Sequence, residues 1–319
     1  MMLDTQSLDP ADTPPLVAIL MCTFNGASFI AEQIESILDQ TYPHWYLAVS
    51  DDGSTDTTLQ QLGEYRAKLG DRLRFYTGPG QGFAANFMSL VANTELTGDY
   101  FAFADQDDIW HVDKLAKAVQ ALELKAVSCL PAIYCGRCKL VDEAGNYLGL
   151  SPLFLRKPSF RNAVVQSLAG ANTMLLNAKA RLLLVGLPAD VQVVAHDWLT
   201  YLLVTAYGGE VIYDPEPTLD YRQHGRNAIG GNTGLWARSK RLGMLLNGRF
   251  SRWSQANLAI LDYLKPPLSQ QDERVLYWFK RCRASRGPKS VWALCRSGVY
   301  RQTWLGQCSL LLGAFLGKI

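Results

Sequence analysis

Three aspartates within four positions follow a short apolar segment about a third of the way along the chain. The segment Tyr100–Ala104 is typical of a buried strand, and Asp105, Asp107 and Asp108 come directly after it. Neighbouring carboxylates repel one another, and the end of an apolar strand solvates them poorly. Hard oxygen ligands suit Mg²⁺ or Mn²⁺ rather than zinc, and such an ion completes its shell with water and substrate phosphates. The spacing therefore indicates a divalent-metal site for a phosphorylated substrate.

The same aspartates also have a purely structural interpretation. A helical pattern begins near Trp110, so Asp107 or Asp108 could be the N-cap of that helix. A cap needs one carboxylate, whereas this segment supplies three. The metal-site interpretation is favoured for that reason.

The segments around these aspartates alternate between strand and helix patterns. Strand patterns cover 16–21, 45–50, 73–76, 100–104 and 133–141, and helix patterns cover 28–40, 57–69, 84–93, 113–124 and 159–167. The β-α-β-α-β-α-β order of the first half predicts an α/β fold with a Rossmann-like, doubly wound and mostly parallel sheet flanked by helices.

Polar residues also follow the first two predicted strands. Thr23, Phe24 and Asn25 follow the first strand, and Asp51 and Asp52 follow the second. In parallel α/β sheets, ligands bind beyond the carboxyl ends of the strands. Turn formation would explain each cluster singly, but it does not explain why acidic residues follow two of the strands.

Composition and missing motifs exclude several classes of protein. The 319 residues are 48% hydrophobic and 19% charged, which is ordinary for a globular chain. Seven irregularly spaced cysteines indicate neither a secreted disulfide scaffold nor a zinc site. The absence of G-x-G-x-x-G after the first strand, and of G-x-x-x-x-G-K-[ST], disfavours dehydrogenases and P-loop enzymes. Without a signal-peptide or membrane-spanning pattern, we expect a cytoplasmic protein.

Four segments, taken in order, resemble the motifs of family 2 glycosyltransferases with the GT-A fold. They are 17–26, 36–42, 49–56 and 105–108, all within the first 110 residues. The resemblance implies a GT-A domain that binds a nucleotide-diphosphate-sugar donor. It also implies a divalent metal at a D-x-D motif and inversion at the anomeric carbon of the sugar.

The resemblance assigns the nucleoside of the donor to residues after the first two strands. Asp52 would accept the imide N–H of the base, and Phe24 would pack near the ring. Thr23 and Asn25 would lie along the nucleoside. Uracil and thymine both present an N–H that a carboxylate can accept, so UDP- and dTDP-linked donors both fit.

The resemblance also assigns residues to the ribose, the phosphates and the metal. Asn86 matches a position near the ribose or a phosphate. Asp105 would meet the ribose or a metal-bound water and assist in holding the ion, while Asp107 would bind Mg²⁺ or Mn²⁺ directly. The metal would neutralise the charge that develops on the departing diphosphate.

A further candidate carboxylate lies in the sequence His196-Asp197-Trp198. An inverting transfer must deprotonate the acceptor hydroxyl as it attacks the anomeric carbon, and a carboxylate is the usual base. Asp197 matches the position that does this in the resembled family. The alternative is an N-cap for the helix that runs to about Tyr207. His196 is expected to orient or pack rather than to bind metal.

The run Y-R-Q-H-G-R-N at 221–227 resembles the end of rhamnosyltransferase catalytic domains. Arg222 and Arg226 offer positive charge for a diphosphate, and His224 could supply a further metal ligand. With His196-Asp197-Trp198, this run implies L-rhamnose from dTDP-L-rhamnose as the donor sugar. A UDP-sugar-dependent hexosyl- or N-acetylhexosaminyltransferase of the same fold is the alternative.

Charge is divided unevenly along the chain. Residues 1–232 carry 16 Lys and Arg against 26 Asp and Glu, whereas residues 233–319 carry 15 against 3. In 233–319 the basic residues stand beside Trp and Leu in helical patterns, which suits helices lying on an anionic membrane surface. A helical bundle packed on the catalytic domain is the alternative. No nucleic-acid-binding motif occurs, so nucleic acid is not an expected partner.

Three regions are predicted: a flexible leader at 1–14, a GT-A catalytic domain at 15–232 and a basic helical extension at 233–319. The predicted activity is inverting, metal-dependent transfer of a sugar to a cell-surface polysaccharide or lipid-linked glycan at the cytoplasmic face of the inner membrane. A nucleotidyltransferase would need a glycine- and lysine-rich triphosphate loop near the N-terminus, and none occurs. A non-catalytic, glycosyltransferase-like scaffold is a further alternative, and the intact carboxylates argue against it.

Overall fold

Two β-sheets and the helices around them make up the computed structural model, which describes residues 13–125, 129–188, 191, 193–225 and 248–319. The strands are β1 (Val17–Thr23), β2 (Trp45–Asp51), β3 (Leu73–Thr77), β4 (Tyr100–Ala104), β5 (Ile109–Trp110), β6 (Ala132–Gly136), β7 (Lys139–Val141), β8 (Tyr147–Leu150), β9 (Leu175–Asn177), β10 (Glu210–Asp214) and β11 (Leu219–Arg222). The helices are α1 (Ile30–Leu38), α2 (Thr58–Leu69), α3 (Phe83–Ala92), α4 (Lys114–Leu124), α5 (Phe160–Ala163), α6 (Ala178–Val185), α7 (His196–Ala206), α8 (Arg249–Leu264), α9 (Gln270–Arg283), α10 (Pro288–Ser297) and α11 (Trp304–Leu316). Outside the described residues lie most of the predicted leader, Arg226 with its predicted diphosphate contact, and the part of the predicted extension at 233–247.

The large sheet has seven strands in the order β10-β6-β9-β4-β1-β2-β3. The strands β4, β1, β2 and β3 are parallel neighbours, as the alternating sequence pattern predicts. Every residue of β1 is buried, because helices cover both faces of the sheet. Val17 and Ile19 of β1 face a core shared with α1 and α4, whereas Ala18 and Leu20 face one shared with α3 and α7.

One strand of the large sheet runs against its neighbours. β9 pairs antiparallel with both β4 and β6, so the sheet is mixed and mostly parallel. The chain reaches β9 through the 3₁₀ turn Ala171–Thr173. Because β9 lies beside β4, this turn is placed close to the loop that follows β4.

The structure corrects two of the predicted elements. The strand expected at 133–141 is two strands, because the chain leaves the large sheet after β6 and joins the small sheet as β7. The helix expected at 159–167 ends at Ala163. There the Asn162 side chain bonds to Tyr201, to the Tyr300 carbonyl and to the Gln166 side chain.

The small sheet, with the order β5-β11-β7-β8, brings the end of the catalytic region to the acidic loop. β11 pairs antiparallel with β5, so Leu219 stands opposite Trp110. β11 also pairs parallel with β7, with Arg222 opposite Val141. The residues that follow β11 are thereby placed beside the loop between β4 and β5.

The helices α8 to α11 pack on the rest of the chain. Leu258 and Phe279 belong to the same buried core as Leu20 of β1. The Tyr300 hydroxyl donates to the Lys157 carbonyl at 2.6 Å. The residues from 248 onwards thus pack on the catalytic region, while contact with a membrane surface stays a prediction. Within the described ranges, no helix combines the length and apolarity needed to cross a bilayer.

Candidate active site

The loop after β4 gathers the three aspartates at one place. Carboxylate oxygens of Asp105, Asp107 and Asp108 lie within 4.8 Å of one another. Burial, followed by the charges of Asp107 and Asp197, raises the pKa of Asp105 to about 7. A cluster of hard oxygen donors whose negative charges oppose one another fits a divalent cation such as Mg²⁺ or Mn²⁺.

Asp108 anchors the loop to the rest of the fold through hydrogen bonds. It is fully buried, and it accepts hydrogen bonds from Asn172 Nδ2 at 2.5 Å and from the backbone N–H of Arg222 at 3.4 Å. Burial, followed by Asp105 and Asp107, raises its pKa well above the usual value. Both carboxylate oxygens of Asp108 are thus bonded within the fold, which leaves Asp105 and Asp107, the latter bonded at Oδ2 to His224, as the candidate ligands for an ion.

The helix-cap interpretation of the aspartates is wrong. Ile109 and Trp110 form β5 rather than the start of a helix, and α4 begins at Lys114. The N-cap of α4 is Asp113, so neither Asp107 nor Asp108 caps it.

His224 is placed at the acidic loop, as predicted. Its Nε2 lies 2.7 Å from Asp107 Oδ2, and its ring stacks on Phe29 with centroids 5.2 Å apart. The imidazole is thus positioned beside the D-x-D carboxylate that the sequence assigns to the metal. Its role as a ligand stays a prediction.

Arg222 lies at the loop but does not point where the sequence predicts. Its side chain is buried, Nε donates to the Asp107 carbonyl at 3.1 Å, and Nη1 donates to the Glu143 carbonyl at 2.6 Å. Nη2 bonds the Glu32 carboxylate, and the guanidinium lies 4.8 Å from the Phe29 ring centroid. The guanidinium therefore fixes the backbone that carries Asp107, and a diphosphate contact would require these bonds to be broken.

Asp52 and Phe24 line the edge of the sheet beyond β1 and β2. The Asp52 carboxylate accepts from the backbone N–H groups of Gly80 and Gly82, both at 2.7 Å. A carboxylate has further lone pairs, so these bonds leave acceptor capacity for a base N–H. Phe24 is 56% exposed, which leaves a ring face open to pack against a base.

Three other predicted donor contacts have their side chains engaged within the protein. Thr23 Oγ1 donates to Asp51 at 2.7 Å. Asn25 has a positive φ of 49°, and its side-chain oxygen accepts from the Thr55 N–H at 2.8 Å. Both ends of the buried Asn86 amide bond to Ser50. These side chains shape the loops around the site, and the nucleoside contacts assigned to them stay predictions.

Asp197 stands in the first turn of α7, one residue after its start, so the simple N-cap interpretation is wrong. The Ser167 hydroxyl donates to Asp197 Oδ2 at 3.1 Å. Burial raises the pKa of this carboxyl, while hydrogen bonds from the backbone of Trp198 and from Ser167 oppose the rise. The charge of Asp197 also contributes to the raised pKa of Asp105, after burial and the charge of Asp107.

His196 packs among aromatic side chains, as predicted. Its ring is buried, stacks on Phe87 at 4.1 Å and meets Phe103 edge-on at 4.9 Å. Among the described residues, neither ring nitrogen has a hydrogen-bond partner. Burial accordingly lowers the pKa of His196 to about 3.

Sequence reasoning missed the residues that hold the loops together. The Gln106 amide bonds both the N–H and the carbonyl of Phe24, at 2.8 and 3.1 Å, which ties the loop after β1 to the acidic loop. Asn172 bonds Asp108 from across the sheet. The Nζ of buried Lys114 lies 4.5 Å from the Trp110 ring centroid; burial lowers the pKa of Lys114 to about 7, and the charge of Asp108 opposes the fall. Gln106 lies inside the D-x-D motif and could have been found there, whereas the other two carry no local signal.

Sequence comparison places the chain in a family. The model of glycosyl transferase family 2 matches residues 18–178. The dTDP-rhamnosyl transferase RfbG of Shigella flexneri is 30% identical over 237 residues, which cover 71% of this chain and 79% of that protein. The chain belongs to family 2 of the glycosyltransferases, and it is a glycosyltransferase.

Solved structures give the same fold. The S. aureus protein TarS 1-349 in complex with UDP-GlcNAc has a TM-score of 0.55 at 17% identity, over 88% of this chain and 80% of that one. The mannosyltransferase PcManGT from Pyrobaculum calidifontis, in complex with GDP-Man and Mn²⁺, has a TM-score of 0.52 at 18% identity. The match covers 95% of this chain and 86% of that one. These similarities confirm the GT-A fold.

The neutral, buried imidazole of His196 makes stability depend on pH. The unfolded chain binds a proton near the ordinary histidine pKa of about 6.5, so the folded chain loses stability as pH falls from there towards 3, by about 1.4 kcal/mol per pH unit. His196→Phe keeps the aromatic packing and removes this titration. In urea unfolding, we expect the free energy of unfolding of His196→Phe, relative to that of the wild type, to rise by about 1.4 kcal/mol for each unit that the pH falls from about 6 to about 4.

The exposed His44 supplies the control. His44→Gln should show no comparable drift relative to wild type. A stability difference between His196→Phe and wild type that stays constant with pH would show that the imidazole titrates normally in the folded chain.

Proposed function

We propose that this glycosyltransferase moves a sugar from a nucleotide-diphosphate-sugar to an acceptor hydroxyl, with a divalent metal and with inversion at the anomeric carbon. After burial and the charge of Asp107, the charge of Asp197 also raises the pKa of Asp105, which supports a role for Asp197 in the same reaction. The observation that carries the proposal is the cluster of carboxylate oxygens from Asp105, Asp107 and Asp108, which lie within 4.8 Å of one another. The first two carboxylates would hold Mg²⁺ or Mn²⁺, beside His224. Asp197 lies on a different element, α7, and is not one of the clustered carboxylates that would hold the cation. It would act as the base.

The chain's own residues account for the proton and for the geometry of the reaction. When bound, the metal supplies positive charge for the departing diphosphate. The acceptor oxygen forms a bond to the anomeric carbon as the bond from that carbon to the diphosphate oxygen breaks, and the hydroxyl proton moves to Asp197. A carboxyl whose pKa is raised by burial is a stronger base when ionised, which suits this step. The Ser167 hydroxyl orients the carboxylate.

The donor that we favour is dTDP-L-rhamnose. The supporting observation is the similarity to a protein named as a dTDP-rhamnosyl transferase over most of both chains. The exposed face of Phe24 and the remaining acceptor capacity of Asp52 suit a pyrimidine base with an N–H. A UDP-linked hexose or N-acetylhexosamine remains the second candidate, because TarS with UDP-GlcNAc has the same fold.

We also propose that the acceptor is a cell-surface polysaccharide or a lipid-linked glycan, reached at an anionic membrane surface on the cytoplasmic side. Large apolar side chains are exposed on the last three helices: Tyr277, Trp292, Trp304, Leu305, Leu312, Phe315 and Leu316. Arg281 and Arg296 lie within 6 Å of the Trp278 ring centroid. Exposed aromatic and apolar groups beside cations suit the headgroup region of an anionic bilayer.

The donor can be tested by a panel of nucleotide sugars. We expect dTDP-L-rhamnose with MnCl₂ to raise the melting temperature more than UDP-GlcNAc or GDP-mannose does, because ligands that bind only the folded chain stabilise it. EDTA should remove most of the shift, and so should Asp107→Asn. A larger shift with UDP-GlcNAc would favour the second candidate, and no metal-dependent shift with any donor would contradict the proposal.

The base can be tested by Asp197→Asn, which keeps the shape of the side chain but cannot take the proton. Turnover of the donor should fall by about 10²–10⁴-fold while donor affinity stays near that of the wild type. Ser167→Ala removes only the orienting hydroxyl, so a smaller fall is expected. Near-normal turnover of Asp197→Asn would exclude the role.

Membrane contact can be tested by co-sedimentation with vesicles. The chain should bind phosphatidylcholine vesicles that contain phosphatidylglycerol, bind neutral vesicles weakly, and be released by salt. Trp292→Gln with Trp304→Gln should reduce binding, whereas Tyr263→Gln on α8, also exposed, should not. Equal binding of neutral and anionic vesicles, or none, would argue against an anionic surface.

A further inference from the structure

The loop after β1 is held by side chains that come from two other loops. The four successive backbone N–H groups at 24–27 each donate to a side-chain oxygen, over distances between 2.8 and 3.2 Å. Three of the acceptors lie on the stretch that follows β2: Ser54, Asp56 and Thr58. The fourth is Gln106, which stands between Asp105 and Asp107 in the acidic loop. Of these four side chains, Gln106 is therefore the one that joins the loop after β1 to the proposed cation site.

Gln106 bonds both backbone groups of a single residue in that loop. Its Oε1 accepts from the Phe24 N–H at 2.8 Å, and its Nε2 donates to the Phe24 carbonyl at 3.1 Å. The amide thus pairs with Phe24 as a residue of a neighbouring antiparallel strand would. Gly26 leaves the room for this pairing, because a Cβ there would lie 2.3 Å from Gln106 Oε1. Two bonds from one planar amide fix both the distance and the orientation of Phe24 relative to the acidic loop.

The position of Gln106 depends in turn on the carboxylates on either side of it. A cation shared by Asp105 and Asp107 would fix the backbone of the residue between them. Without a cation the carboxylates repel one another, which favours a more open arrangement of the same loop. The paired amide carries this difference to Phe24, whose ring is 56% exposed and faces the proposed site of the base.

We propose that Gln106 is a positioning residue that couples binding of the donor base at Phe24 to binding of the cation at Asp105 and Asp107. The proposal rests on the function proposed above. A cation that holds the acidic loop also holds Phe24 where its ring packs on the base, so each ligand strengthens the binding of the other by the same factor. This coupling requires no phosphate, and it is therefore distinct from the attraction between the cation and the diphosphate.

Thymidine isolates the coupling, because it carries the base but no phosphate. Its dissociation constant is measured by ligand-observed NMR, once in EDTA and once in saturating MgCl₂, since Mg²⁺ is diamagnetic. For the wild type, we expect Mg²⁺ to tighten thymidine binding by about fivefold, at the lower end of the usual range of coupling between two sites. Gln106→Met keeps an unbranched side chain but loses both bonds to Phe24, so the ratio of the two dissociation constants should fall close to one.

A second variant and a matched control separate coupling from a merely structural role. Gly26→Ala leaves the acidic loop unchanged, and its added Cβ displaces the Gln106 amide, so the ratio should fall as it does in Gln106→Met. Ser54→Ala removes the acceptor of the Asn25 N–H and loosens the same loop while Gln106 stays in place. Thymidine should then bind more weakly in both solutions, with the ratio unchanged. A purely structural role of Gln106 would give the same result as this control.

Several results would overturn the proposal: equal thymidine affinity in EDTA and in MgCl₂ for the wild type, the wild-type ratio in the variant at Gln106 or at Gly26, or an equal fall of the ratio in Ser54→Ala. Binding of dTDP reports separately on the proposed function, because the cation would contact the diphosphate with or without the Gln106 bonds. Binding of dTDP that responds to Mg²⁺, with thymidine binding that does not, would overturn the coupling and leave the proposed function standing. Binding of dTDP that does not respond to Mg²⁺ would overturn both.

Discussion

Repulsion between carboxylates crowded at the end of β4 is the constraint on which the site depends. Asp105, Asp107 and Asp108 lie close together in partly or fully buried positions, where each charge disfavours the next. The surrounding fold supplies partners for the loop: the Asn172 amide lies 64 residues further along the chain, and His224 lies 117 residues beyond Asp107. These long-range bonds hold the cluster in a form that favours a divalent cation.

The order of the strands explains how such distant residues meet. β9 enters the large sheet beside β4, which brings the turn before it to Asp108. β11 pairs with β5 and β7, which places Arg222 and His224 at the same loop. The parallel strands β1 and β2 end at the neighbouring edge, where Asp52 and Phe24 lie. The two sheets thus bring the acidic loop close to the residues that follow β11 and to the turn before β9.

The sequence was sufficient to predict the order of β1 to β4, the GT-A fold, the meeting of the D-x-D aspartates and the helix that carries Asp197. Alternation of buried strands with helices and the types of residue at strand ends are local signals, and the structure confirms them. The directions of side chains are not local signals. Arg222 turns into the fold to bond backbone carbonyls, and the Asn86 amide is buried against Ser50. Only contacts with segments far along the chain decide such orientations.

The central claim, that Asp105 and Asp107 hold a cation, is tested most directly by anomalous diffraction from crystals grown with MnCl₂ and dTDP. A single strong manganese peak is expected about 2.0–2.2 Å from a carboxylate oxygen of Asp107, with Asp105 in its shell directly or through water. The same peak should be lost in Asp107→Asn. Manganese bound elsewhere, or nucleotide bound with no manganese peak at this loop, would contradict the claim.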